Sequence, residues 1–497
     1  MGAFADAPAT IDVAEGTGMA SKHLTVTEIP ASILTPDSVE TRLGTLRFFD
    51  GFPDEETVRK VYDNLDFQRA VQVFLSAMPA ASLAAMRTGF RTIGSDNRSV
   101  LLTETLMDAR SIWLTPNAET LYAMTWLDTH AGPVVVEVPP HMLGMIDDAW
   151  FRHVTDVGNA GPDRGQGGRY LLLPPDHAEK VPDGYFVARS RTYGNLLFAR
   201  GFAAQGDPRA AVENIRADFR IYPLAAAADR PDTDFVDISG MALTMVFACD
   251  ASYFEQVAAT VREEPLDAID PEIRGLLASV GIRRDAPFAP DARMQRILAE
   301  AAAVGTATSR AIAFGTRDRG AYLYPDSAWK VFFIGTDPEF SPGGVLNPDA
   351  RTLYFFTAVG ISPSLVLKMV GIGSQYASTE RDGTGRYLDG AKRYRLHVPP
   401  DVPAKDFWSV TVYDPQTRSM LQTDQRFPGT GSQKPGLTVN PDASVEVHFG
   451  PEPLSDGEAN WVQTVPGKGW FAVLRLYGPL EPWFGRTWQP GEIQPVD

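Results

Sequence analysis

The sequence predicts an α+β protein, mainly β, with two antiparallel β-sandwich or jelly-roll-like domains and a helical block between or across them. Three observations predict it. Short aromatic and β-branched runs, parted by turn residues, fill residues 110–200 and return after Ser374. Alanine, leucine and charged residues at helical spacing fill residues 208–312. Finally, Trp-x-x-x-Val-x-Asp occurs twice, as Trp150, Val154, Asp156 and as Trp408, Val412, Asp414. Each copy follows Val-Pro-Pro and precedes a Gly-aromatic-Phe triplet, Gly184-Tyr185-Phe186 or Gly469-Trp470-Phe471. This pattern reads as a diverged duplication of one β unit, with Trp150 and Trp408 on equivalent strands.

In chain order, residues 1–50 read as an N-terminal arm, Ala, Thr, Asp and Gly rich at first and without periodicity. Residues 51–205 hold N-terminal helices and the first β domain. Asp54 can cap a helix whose Val58, Val61, Tyr62 and Leu65 share a face. Strands are expected at 111–114, 120–126, 134–138, 149–156, 169–173, 185–189 and 195–200. The helical block is residues 206–325, with helices at 208–218, 251–264, 271–280 and 291–312. Residues 326–497 form the second β domain. A strand is expected at 329–334, and 349–359 fits either helix or strand. Further strands are expected at 376–379, 394–398, 407–413, 444–449 and 471–476. The tail from Pro479 reads as irregular chain.

At 497 residues the chain is too long for one ordinary core. Its formal charge of -17 argues against nucleic acid or anionic membrane as partner, since both need basic patches. No run approaches the roughly 18 apolar residues of a membrane helix. No basic region followed by an apolar core opens the chain, so a cytoplasmic protein without membrane insertion is expected. The single cysteine, Cys249, excludes an intrachain disulfide and reads as a buried small hydrophobe. The expected partners are a small-molecule ligand and a second copy of the chain.

Several motifs together resemble a bacterial family with two tandem domains, domain of unknown function 1254 followed by domain of unknown function 1214. The N-terminal resemblance rests on Asn117-Ala-Glu119-Thr-Leu-Tyr122, on Ala149-Trp150-Phe151 and on the glycine-rich stretch 161–168. The C-terminal one rests on Phe407-Trp408-Ser409 with Tyr413-Asp414, on Asn460-Trp461 and on Arg475-Leu-Tyr477-Gly-Pro479. Glu119 stands where the family pattern usually has aspartate, which keeps the charge. The resemblance implies a β-rich two-domain protein with a jelly-roll-like C-terminal part, and it carries over no reaction and no catalytic residues.

Chemistry-bearing residues are sparse. None of the seven histidines has HExxH spacing and there is no cysteine cluster, so no metal and no cofactor is expected. The glycine-rich loop 158–168 lacks a P-loop lysine and reads as a long β connection. No Gly-x-Ser-x-Gly elbow exists. The candidate catalytic residues are His153, Glu119 and Tyr122, a base, a carboxylate and a phenol on segments that could be neighbouring strands. Asn117, Trp150, Asp156, Arg475 and Tyr477 are the candidate ligand contacts. The equivalent places of Asp156 and Asp414 also suit a structural role. The expected function is to bind or transform a small polar organic ligand, with hydrolytic acid–base chemistry suiting the residues. The alternative is a non-catalytic glycan-binding or assembly protein.

Overall fold

The structure, a computed structural model, describes residues 27–203, 207–453 and 458–496. Most of the expected N-terminal arm lies outside the described residues. Its last part is not an arm: β1 (Ser38–Thr41), β2 (Gly44–Phe49) and β3 (Phe52–Pro53) form a small antiparallel meander. Next come α1 (Glu55–Ser76) and α2 (Met78–Arg91). Asp54 caps α1 by accepting the Thr57 N–H at 2.7 Å, as its acceptor side chain before two glutamates suggests.

The first β unit contains β4 (Ser99–Leu102), β5 (Thr120–Asp128), β6 (Val134–Val138), β7 (Met142–Asp148), β8 (His153–Gly158), β9 (Gly168–Leu173), β10 (Phe186–Arg189) and β11 (Gly194–Phe202). It closes with α3 (Arg209–Asp218), β12 (Arg220–Pro223) and β13 (Asp234–Asp237). These strands make a six-stranded sheet, β13-β4-β5-β11-β7-β8, and a four-stranded sheet, β10-β9-β6-β12. The sheets pack face to face through Ala123, Leu127, Leu197 and Ala199 on one side and Val134, Val136 and Leu172 on the other. The opposite face of the six-stranded sheet carries Tyr122, Met124, Trp126, Leu196 and Phe198 into a second core. Both faces are therefore covered, which is why β5 and β11 show no clean apolar/polar alternation.

That second core is lined by α1 and α2 and by α4 (Ser252–Glu263), α5 (Pro271–Ser279), α6 (Ala292–Phe314), α7 (Pro348–Thr357) and α8 (Pro363–Val366). The second β unit follows: β14 (Ser374–Thr379), β15 (Arg393–Val398), β16 (Ala404–Tyr413), β17 (Gly429–Gly431), β18 (Val445–Gly450), β19 (Trp461–Gln463), β20 (Phe471–Pro479), α9 (Glu481–Phe484) and β21 (Ile493–Val496). Its sheets, β14-β20-β16-β17 and β19-β18-β15-β21, enclose Val410, Val412, Leu474 and Leu476 against Leu396, Val447 and Phe449. Alternate residues of β16 and β20 point the other way, so Tyr413, Phe471 and Val473 join the core of the first unit. The protein is thus α+β and mainly antiparallel; β9–β10, β4–β13 and β18–β19 pair in parallel.

The proposed equivalence of Trp150 and Trp408 does not hold. Trp408 lies within β16, an interior strand, whereas Trp150 sits in the turn before β8, an edge strand. The turn has a local cause. Asp148 Oδ1 accepts the N–H groups of Trp150 at 2.8 Å and Arg152 at 3.0 Å, and Phe151 takes φ 53°. A strand motif therefore folds as a hairpin corner. Other departures are smaller. Residues 111–114 contribute only an isolated bridge, Ile112 to Thr244, and in 329–334 only Lys330 is bridged. Of residues 349–359, those up to Thr357 are helix, in α7, and the last two are irregular chain beyond it. The tail forms α9 and then β21, which pairs with β15. Cys249 is exposed rather than buried, in the irregular segment before α4. The glycine-rich loop does join two strands, β8 and β9, and the Asp163 carboxylate closes it by accepting the N–H groups of Gly158 and Gly167.

Candidate functional site: a two-arginine cavity at the seam

The two β units meet along the seam faces of β11 and β20. Each of these apolar strands carries one arginine. Arg200 stands opposite Tyr122 of β5, and Arg475 stands opposite Tyr376 of β14. Each unit thus contributes one Arg–Tyr cross-strand pair. Arg475 is 3% exposed. Its Nη2 donates to the carbonyls of Thr115 at 2.8 Å and Pro116 at 3.3 Å, while Nη1 is buried without a partner. Arg200 Nη1 donates to Tyr376 Oη at 3.3 Å. Among the described residues neither guanidinium forms an ion pair. Arg475 holds its charge in the interior with the Glu119 carboxylate near enough to act on it, and Arg200 is half-buried.

Tyr376 lies between the two charges. Burial by itself would push its phenol up, but the charge and hydrogen bond of Arg200, with the charge of Arg475, hold it below the usual value. The neighbouring phenols of Tyr122, Tyr354 and Tyr413 are instead pushed up by burial. Arg200, Arg475, Tyr376, Tyr122 and Asn117 face a cavity of about 40 Å³, whose apolar wall includes Trp113, Phe198 and Phe333. One water needs roughly 10–15 Å³ on this measure. The space therefore suits a few waters or an anion the size of formate or acetate.

Asn117 and Tyr122 also shape the strand entrance. Asn117 Oδ1 accepts the N–H groups of Glu119 at 2.9 Å and Thr120 at 2.8 Å, and Tyr122 Oη accepts the Asn117 N–H at 2.8 Å. Glu119 faces the second unit. Its carboxylate stands 3.4 Å from Tyr477 Oη and 3.5 Å from Thr411 Oγ1. It lines a neighbouring cavity of about 420 Å³ with Phe407, Trp408 and Lys434. Tyr477 stacks on Phe407 with ring centroids 4.1 Å apart.

His153, Trp150 and Asp156 are elsewhere, so the expected pairing of Glu119 with His153 is corrected. The sheet order β5-β11-β7-β8 puts three inter-strand steps between β5 and β8, roughly 14 Å. Through Asp147 and Leu196, His153 is in register with Trp126. Glu119 lies seven residues before Trp126, roughly 23 Å along the strand. His153 and Trp150 line a third cavity of about 570 Å³ that shares no lining residue with the other two. Asp156 accepts a hydrogen bond from Ser362 Oγ and stands 3.5 Å from His153 Nε2. Sequence reasoning passed over Arg200 and Tyr376. The available signal was an arginine closing an uninterrupted apolar run, Leu196-Leu197-Phe198-Ala199-Arg200, as Arg475 closes Ala472-Val473-Leu474.

Fold and site together define a tandem β-sandwich protein with an electropositive cavity where the sandwiches meet. Residues 97–223 match the family model described as Protein of unknown function (DUF1254), and residues 373–481 match Protein of unknown function (DUF1214). The chain carries these two domains in tandem, in that order. Tyr122 and Arg200 fall in the first and Tyr376 and Arg475 in the second, so the cavity is made where the two domains join. No curated protein matches the chain. Among solved structures, the VPA0106 protein from Vibrio parahaemolyticus has a similar fold: TM-score 0.54 at 19% identity, covering 87% of this chain and 100% of that one. An uncharacterized protein from Burkholderia cenocepacia aligns with TM-score 0.40 at 13% identity, over 88% of this chain and 96% of that one.

Proposed function

We propose that the protein binds a small organic carboxylate in the seam cavity and transforms it by proton transfer at Tyr376. The observation that carries this reading is a buried guanidinium, Arg475, and a half-buried one, Arg200, one from each domain and neither in an ion pair, flanking a phenol of lowered pKa. Arg200 and the free Nη1 of Arg475 would take the carboxylate oxygens. Tyr376, acidified by the same charges, would give up or receive the proton, and the aromatic wall would exclude bulk water. A non-catalytic glycan-binding module is the second reading; its support is the wall of Phe407, Trp408 and Phe427 in the 420 Å³ cavity.

The test is a thermal-shift and calorimetric screen of small carboxylates, beginning with formate and acetate, against their amides. A ligand that binds only the folded state raises its stability. Acetate should stabilise the wild type and acetamide should not. Arg200→Met and Arg475→Met should each lose about 1.4 kcal/mol or more of binding, a tenfold effect. Tyr376→Phe should retain binding and lose turnover of any substrate found. Acetate responses unchanged in both arginine variants would remove the seam from consideration.

A further inference from the structure

The cavity around His153 is not used by the seam chemistry, yet it has the features of a binding site. It measures about 570 Å³ and lies between the β7–β8 turn, the start of α5, the segment 338–346 and α7. Two side-chain nitrogens on its lining, Trp150 Nε1 and Arg351 Nε, are buried with neither a hydrogen-bond partner nor a carboxylate beside them, whereas Arg152 Nη2 stands 2.7 Å from Asp148 and His153 Nε2 3.5 Å from Asp156. Stranding one buried polar group costs about 1–3 kcal/mol, so two on one cavity favour a ligand there. Arg351 forms no ion pair among the described residues, and burial without a carboxylate partner lowers its guanidinium pKa. The acidic groups on the lining do not neutralise it. Asp270 is engaged at the start of α5, accepting the Glu272 N–H at 2.9 Å, and Glu339 is exposed.

The cavity's apolar and polar parts are fixed relative to each other. Phe151 of the turn stacks on Phe355 of α7 with centroids 5.3 Å apart. Arg351 lies one helical turn before Phe355, on the same face. The stacking therefore holds Trp150, just before Phe151, and His153, two residues after it, against the part of α7 that carries Arg351. Phe340, Ile269 and Ile273 extend the apolar wall.

We propose that this cavity binds an organic carboxylate with an aromatic body, its carboxylate taken by Arg351 and the indole N–H of Trp150 and its ring by the Phe340–Phe355 wall. Such a ligand is too large for the 40 Å³ seam cavity, so the two sites separate by ligand size. Titration calorimetry of the full chain with phenylacetate and phenylacetamide tests the proposal. Phenylacetate should bind saturably and the amide should not. Arg351→Gln and Trp150→Phe should each weaken phenylacetate at least tenfold. The second variant keeps an aromatic ring and removes only the N–H, so it remains informative where Arg351→Gln fails to fold. Equal binding of acid and amide, no binding of phenylacetate to the wild type, or wild-type affinity in Trp150→Phe would overturn the assignment. Acetate also fits the larger cavity, so the seam is read by the loss of its acetate response in Arg200→Met and Arg475→Met and this cavity by phenylacetate in Arg351→Gln and Trp150→Phe, and the two sites fail or stand separately.

Discussion

Arg200 and Arg475 close apolar runs on strands that are otherwise core, and their charge explains the behaviour of the residue between them. The Tyr376 phenol titrates below its unfolded value of 10.0 in the folded chain. Its contribution to stability is therefore complete above pH 10 and is lost as pH falls through the folded value. An alkaline absorbance titration should show one tyrosine ionising ahead of the rest, absent in Tyr376→Phe. Acetate bound between the arginines would compete for their field and raise that phenol. Acetate affinity should consequently fall as pH rises through the Tyr376 titration. A pH-independent affinity over that range would detach Tyr376 from the anion site. Asp147 shows the opposite shift. It is fully buried, Oδ2 accepts the Ile361 N–H at 2.8 Å and Oδ1 has no partner. Burial, with Asp148 and Asp156 nearby, pushes its carboxyl well above the usual range. The folded chain then keeps a proton that the unfolded chain releases above about pH 4, so stability drains away as pH rises. Asp147→Asn retains the acceptor and has no proton to lose. Its advantage in denaturant unfolding should grow by about 1.4 kcal/mol per pH unit above that point, until the folded carboxyl itself ionises.

Among the elements, the helices were the most legible in the sequence, because their apolar spacing and caps are local properties. Asp54 before α1 and the alanine-rich run of α6 needed no tertiary information. The β7–β8 corner was not legible. Trp150 and Trp408 head the same residue pattern, but Asp148 gathers two backbone N–H groups in one case, while ladder bonds to β17 and β20 hold the other. Pairing partners, not the pattern, decided the outcome. The α1–α6 contact has a similar hidden term in Gly305. In a helix interior, Gly→Ala ordinarily stabilises by about 1 kcal/mol. Here an added Cβ would lie 2.6 Å from the Phe74 ring. Phe74 is fully buried and stacked on Tyr253 at 4.1 Å, so it has nowhere to move. Overpacking of this kind costs about 1–3 kcal/mol and should win. Gly305→Ala is expected to lower the urea midpoint; a raised midpoint would show that α6 can shift away from α1.

Across the whole molecule, two sandwiches were visible as separate β-rich stretches, but their joint was not. Asn117, Tyr122 and Arg475 stood out one by one. What places them on one cavity is the docking of the segment before β5 onto the second unit, through contacts between residues some 300 positions apart. Thr115 donates its N–H to the Arg418 carbonyl at 2.8 Å, Tyr413 Oη donates to the Pro116 carbonyl, and Gln422 Nε2 donates to the Ala109 carbonyl at 3.1 Å. The apolar core continues across the same joint, from Trp113, Tyr122 and Phe198 to Tyr413, Phe471 and Val473. Two domains joined by a small wet interface would unfold separately. A shared core with hydrogen-bonded backbone on both sides couples them instead. Scanning calorimetry should therefore give a single transition, with calorimetric and van't Hoff enthalpies in agreement. Arg475→Met strands the Thr115 carbonyl, while Pro116 keeps its bond from Tyr413 Oη, a loss of about 1–3 kcal/mol. It should move the whole transition down without splitting it. Two resolved transitions in the wild type, or a variant that melts only the second unit early, would mean that the sandwiches are independent and that the seam cavity can open without unfolding either one.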